Sequence, residues 1–138
     1  MKTFISCLII YLFISCNSDS TNFELCNGGL QPYYRTGLSY KGDFHAIKEH
    51  FKINYKAVNT GENSGIVRIQ FHVNCKGETG NYKVEAYSLD YELIEMNNQI
   101  TNQFIELTKG LNEWIPGKDG DGETVNSHKF FAFKIIEG

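Results

Sequence analysis

Four cysteines, four histidines and one acidic, glycine-rich tract are the residues through which this chain could do chemistry. The histidines His45, His50, His72 and His128 are scattered. His45 and His50 lie five apart, about 140° around a helix, so they cannot share a ligand as the i, i+4 pair of a zinc helix does. His72 falls on the polar side of an alternating stretch, the place of an exposed or hydrogen-bonded imidazole. The tract Lys118, Asp119, Gly120, Asp121, Gly122, Glu123 suggests a calcium loop, but an EF-hand counted from Asp119 needs Gly where Thr124 stands and Glu where Phe130 stands. A solvated turn is the better account. There is no G-x-S-x-G elbow and no phosphate-binding glycine loop. The sequence therefore predicts no catalytic residues, no metal site and no cofactor.

The cysteines are more informative. Cys7 and Cys16 belong to an N-terminal leader: Lys2 supplies a positive start, and residues 4–14 are apolar except for Ser6. Eleven residues are too few for a membrane-spanning helix, which needs about 20, so the run reads as a signal segment. Leu12-Phe13-Ile14-Ser15-Cys16 resembles a lipobox, with Phe13 standing where Leu is usual, and makes Cys16 the candidate for lipidation. Cleavage by ordinary signal peptidase nearby is the alternative. Export leaves Cys26 and Cys75 as an even pair in an oxidising compartment, and no C-x-x-C competes for them. A Cys26–Cys75 disulfide is expected, closing a loop of about 50 residues worth roughly 4 kcal/mol in the chain-entropy account.

These groups need elements to hold them. The 138 residues suit one domain, 41% are hydrophobic and 21% charged, and ten Phe with eight Tyr predict an aromatic core. A net charge of −3 without a basic block argues against a nucleic-acid partner. The chain divides into a signal segment (1–16), a tether and N-terminal loop segment (17–40) and a folded domain (41–138). Phe44, Ile47, Phe51 and Tyr55 recur at helical spacing over 43–55, with Asp43 as candidate N-cap. Val67, Ile69, Phe71 and Val73 alternate with polar residues, predicting a strand over 66–74. Tyr82, Val84 and Ala86 make a second strand and so a hairpin across Gly77. Leu93, Met96, Ile100, Phe104, Leu107 and Leu111 step by three and four, predicting a helix over 91–111 that Gly110 ends. A third strand, 130–136, turns Phe131, Phe133 and Ile135 inward. The expected fold is α+β: a small antiparallel sheet of about three strands, in the order helix, strand, strand, helix, strand, with two helices on one face.

The run Gly65 to Asn74, the turn at Gly77, the second strand and long helix, then Trp114-Ile115-Pro116-Gly117, Gly122, Val125 and a closing strand with Phe131 and Phe133 resemble the TonB C-terminal domain. The likeness spans residues 44–136 and is nearest to small lipoprotein-type members of flavobacteria-like lineages. It implies a periplasmic interaction module that captures an extended peptide of an envelope protein along an exposed strand. On this chain that strand is 130–136, with Phe130, Ala132, Lys134 and Ile136 at the candidate peptide-binding edge and Trp114, Pro116 and Gly117 as the family motif. The expected setting is the cell envelope, periplasm-facing or on the outer membrane, held to the membrane by the lipid. Two prolines and a tether of 17–22 depart from TonB's long proline-rich spacer, so a motor-driven role is not implied. An envelope-maintenance lipoprotein without peptide binding is the alternative.

Overall fold

The computed structural model describes residues 22–59 and 63–136. The signal segment, Cys16 and nearly all of the tether lie outside the described residues. Leu30–Pro32 forms strand β1, Tyr33–Thr36 a short helix α1, Ser39–Tyr40 strand β2 and Asp43–Asn54 helix α2. Gly65–Val73 (β3) and Thr79–Tyr87 (β4) follow, then Leu93–Ile94 (β5), Asn98–Lys109 (α3), Trp114–Ile115 (β6) and Asn126–Ile135 (β7).

β3 is the organising strand, and its alternation explains why. Val67, Ile69, Phe71 and Val73 are wholly buried, while the residues between them keep partial contact with solvent. With period two, this puts one continuous apolar row under the helices. β3 pairs antiparallel with β4 on one side and β7 on the other. β5 extends the sheet beyond β4, and β1 joins β7 in parallel, giving the order β1-β7-β3-β4-β5. β2 and β6 make a separate two-stranded antiparallel sheet. Above the inner face, Phe51 of α2 and Phe104 of α3 both meet the Phe133 ring, at 4.5 and 4.7 Å between centroids. Trp114 closes the other end against Tyr40 and Phe71, at 5.0 and 5.5 Å. Phe51, Phe71, Phe104, Trp114, Phe131 and Phe133 thus build the core, whereas Tyr34, Phe44 and Tyr91 stand exposed.

The expected architecture needs correcting. Among the described residues the sheet has five strands, is curled and of mixed direction, a second two-stranded sheet is present, and there are three helices rather than two. The sheet is therefore not the small antiparallel three-stranded one. Residues expected as loop in 23–40 contain β1, α1 and β2. The last helix starts at Asn98, not near residue 91. Ser88 causes this: its hydroxyl oxygen accepts from the amides of Asp90 and Glu92, and its backbone amide donates to the Glu92 carbonyl. That tight turn reverses the chain into β5. The Asn97 side chain then accepts from the Gln99 amide and caps α3 at its true start. Leu93 and Met96 share the helical spacing without belonging to the helix. Leu111, also counted on that stripe, is buried just beyond the C-cap Gly110. At the first long helix, Gly42 is the N-cap and Asp43 is its first residue, so Asp43 does not cap. Phe44 was expected on the apolar stripe, but it is 71% exposed.

Candidate functional site

The Cys26–Cys75 disulfide is present, with Cα atoms 6.0 Å apart. Cys75 sits in the turn between β3 and β4, which is organised by the buried Asn74. The Asn74 carboxamide oxygen accepts from the amides of Lys76 and Glu78, and its nitrogen donates to the Glu24 carbonyl. Cys26 is held a second time by the buried Asn126 of β7, whose amide side chain both accepts from the Cys26 N–H (2.9 Å) and donates to its carbonyl (2.8 Å). The segment before β1 is therefore strapped across the end of the sheet, and β1 leaves it already aligned on β7.

This strap covers only part of β7. Leu30, Gln31 and Pro32 pair with Asn126, Ser127 and His128, and there the cover ends. Pro32 has no N–H to continue a ladder, and α1 then carries the chain away to Gly37, whose positive φ of 68° turns it back. From Lys129 onward β7 pairs with β3 on one side, and no strand among the described residues pairs with the other. Residues 130–135 of the expected edge lie in this uncovered stretch, while Ile136 lies just past the strand end.

A groove of about 610 Å³ follows that uncovered stretch. One wall is α2, through Phe44, Ile47, Lys48 and Phe51, and Tyr33 of α1 closes one end. The other wall is β7, through all six consecutive residues from Lys129 to Lys134. Alternate side chains of a strand point to opposite faces, so a groove touched by six in succession runs along the backbone edge, not over one face. Phe131 is buried and Phe133 and Ile135 pack against the core, while Phe130, 39% exposed, meets the Tyr33 ring edge-on at 6.2 Å and lies under the Arg68 guanidinium at 4.9 Å. Lys129 takes an inward position in line with Phe131 and Phe133. Its ammonium lies 3.8 Å from the centroid of the Tyr33 ring and 5.5 Å from that of Phe131. Burial lowers its pKa below the ordinary lysine value.

The opposite uncovered edge, on β4, is different. β5 pairs only with Ala86 and Tyr87. The rest is interrupted where the register with β3 shifts between Gln70 and His72, with Asn81 at φ 54°. It also carries Lys83 and Glu85, ion-paired at 2.9 Å. The Glu85 carboxyl is held below the usual value by hydrogen bonds from Lys83 and then Tyr87. A bulge and exposed charges blunt an edge against pairing.

The residues weighed for chemistry are placed as follows. His45 is exposed on α2, and the His50 Nε2 is 2.8 Å from the Leu107 carbonyl oxygen, linking α2 to α3. The register places His72 directly across from His128, a pairing that their separation in the chain conceals. The His72 Nδ1 is 3.1 Å from the Asn81 amide nitrogen, and burial first, then the charge of His128, lowers the His72 pKa. No group of three or more metal-ligating side chains occurs among the described residues. In the acidic tract, the Asp119 carboxylate accepts from the amides of Asp121 and Glu123, so it serves its own turn. Trp114 is buried in the core. Gly117 packs so closely that an added Cβ would meet the Thr36 Oγ1 at 2.3 Å, beside the buried 2.7 Å hydrogen bond between the Thr36 and Ser127 hydroxyls. The Trp114–Gly117 stretch therefore holds β6, α1 and β7 together and does not touch the groove.

Tyr33, Lys48 and Lys129 are groove residues that sequence reasoning passed over, and Phe44, Ile47 and Phe51 entered it only as a helical stripe. Lys129 carried a readable signal, being a cation in the same alternate set as Phe131, Phe133 and Ile135. No helix among the described residues is long and apolar enough to cross a membrane. The chain matches no known protein family, no curated protein and no solved structure.

Proposed function

We propose that this chain is a non-catalytic interaction module of the cell envelope, exported and lipid-anchored through Cys16, that binds an extended peptide of an envelope protein by strand addition to β7. The observation that carries the reading is the half-covered strand. β7 is bounded by β1 only as far as His128, and an apolar groove continues along the bare backbone where the cover stops. Unpaired N–H and C=O groups there supply affinity, and alternate side-chain pockets supply selectivity. Phe130, Ala132 and Lys134 then border the added strand, with Phe44 opposite. The disulfide supports an oxidising compartment, and the leader and TonB-like motif order support the envelope setting.

The test probes an array of extended segments from envelope proteins with the folded domain and with a Phe44→Glu variant. Phe44 is exposed, so the variant keeps its melting temperature while binding falls about ten-fold. Hydrogen exchange supplies the structural readout: outward amides in 130–135 exchange fast in the free domain and slow when a peptide is added. Amides already protected in the free protein, or binding indifferent to Phe44→Glu, overturn the reading. Mass spectrometry of the mature N-terminus tests the anchor, since a free amine at any residue other than Cys16 removes it.

One observation favours a second reading, an envelope-maintenance lipoprotein that binds no peptide. Lys129 and Lys134 stand on the bare stretch, and lysines are a common means of keeping an edge unpaired. That reading predicts no saturable binding by any segment of the array.

A further inference from the structure

The groove beside β7 is cationic on a protein that is acidic overall. Three lysines line it, Lys48 on α2 with Lys129 and Lys134 on β7, and no Asp or Glu does. The whole chain carries a net charge of −3. Four other lysines are ion-paired, Lys41 with Glu113, Lys52 with Glu49, Lys83 with Glu85 and Lys109 with Glu106, whereas Lys56, Lys76 and Lys118 show no ion pair among the described residues. None of the groove lysines has a carboxylate partner among the described residues. Lys129 is the most constrained of them. Its stem lies among the inward residues of β7 and its ammonium is held against two aromatic rings. A half-buried ammonium without a counter-ion gains more from a carboxylate than a solvated surface lysine does.

The geometry points to an extended acidic segment as the occupant, its carboxylates meeting Lys129 and Lys134 at the two ends and its apolar middle lying along Phe130 to Phe133. This rests on the strand-addition reading above and specifies its ligand. Lys129 and Lys134 are five positions apart, so on a strand they face opposite sides. A bound strand in register therefore presents its two carboxylates about five residues apart, roughly 16 Å along the chain, pointing to opposite faces. Between them, apolar side chains fall alternately beside Phe44 and beside Phe130. The same charges disfavour a second copy of this chain. Pairing two β7 edges brings lysines toward lysines, and like charges facing across strands are destabilising.

The experiment uses the full mature chain and two blocked hexapeptides, Glu-Val-Phe-Val-Thr-Glu and its counterpart with Gln at both ends. Calorimetric titration of wild type, Lys129→Met and Lys129→Arg is run at low and moderate salt, with thermal melts to verify folding. The acidic peptide should bind wild type about ten-fold more tightly than the Gln peptide. Lys129→Met should abolish that preference, Lys129→Arg should retain most of it, and added salt should reduce it. Lys134→Gln, at an exposed position, provides a second variant whose folding is not at issue, and it should lower the preference in part. Equal binding of both peptides by wild type overturns the charge inference and leaves strand addition standing. A preference that survives Lys129→Met overturns the role of Lys129. Binding of neither peptide overturns both the inference and the strand-addition reading beneath it.

Discussion

At residue scale, position within a strand decides what a side chain does. Lys129 and Phe131 are two apart on β7 and point the same way. One fills the core, and the other ends where Tyr33 and the groove meet. Phe44 and Ile47 are three apart on α2, yet Ile47 is buried and Phe44 stands at the mouth of the groove. The His72 and His128 pair has a measurable consequence. Burial and then the His128 charge depress the His72 pKa below its ordinary value of 6.5, so the unfolded chain binds this proton at higher pH than the folded one. The associated stability is fully present above about pH 6.5 and is lost as pH falls through the depressed folded value. Urea unfolding followed across pH 7 to 4.5 should show that decline, and His72→Gln should flatten it. A His72→Gln curve parallel to wild type in that window would remove the role assigned to this pair.

At the scale of elements, the disulfide and Asn126 together make a strap of the segment leading into β1. Leu25 and Leu30 are exposed, and Phe23, half-buried against Gly80, supplies its apolar contact, so covalent and polar ties act beside that one ring. Replacing Cys26 and Cys75 by serine should lower unfolding stability by up to about 4 kcal/mol, read as a shift in the urea midpoint. It should also speed hydrogen exchange at the amides within 126–128 that point toward β1, because β1 then frays from β7 while the amides pointing toward β3 stay bonded. Full protection of those β1-facing amides in the serine variant would show that β1 docks without the bridge. The long elements behave differently. α2, β3 and β4 stand where periodicity and turn residues put them, and α3 occupies the later part of its predicted span, because each is long enough to present a face to the core.

At the scale of the whole molecule, the uncovered stretch of β7 must avoid pairing with copies of the same chain. Lys129 and Lys134 stand where like-charge repulsion would oppose such pairing. The double variant Lys129→Met, Lys134→Val should therefore associate as concentration rises in sedimentation velocity, where wild type does not; a monomeric double variant would show that other features guard the edge. Much of this arrangement was readable in the sequence: the alternation of β3, the helical stripe from Ile100 to Phe104, the helix stop at Gly110, the inward set Phe131, Phe133 and Ile135, and the pairing of Cys26 with Cys75. Local chemistry carried those features, through side-chain period, turn residues and the pair of cysteines that remains once Cys7 and Cys16 are set aside. Only the tertiary structure decided that β1, β2, β5 and β6 exist, that one side of β7 meets no partner strand among the described residues from Lys129 onward, and that Tyr33, Phe44 and Lys129 share a groove. Strands of two or three residues have no period of their own and form only where a distant partner offers its backbone. The groove likewise belongs to no single segment, because its two walls are 82 residues apart in the chain at Ile47 and Lys129 (129 − 47).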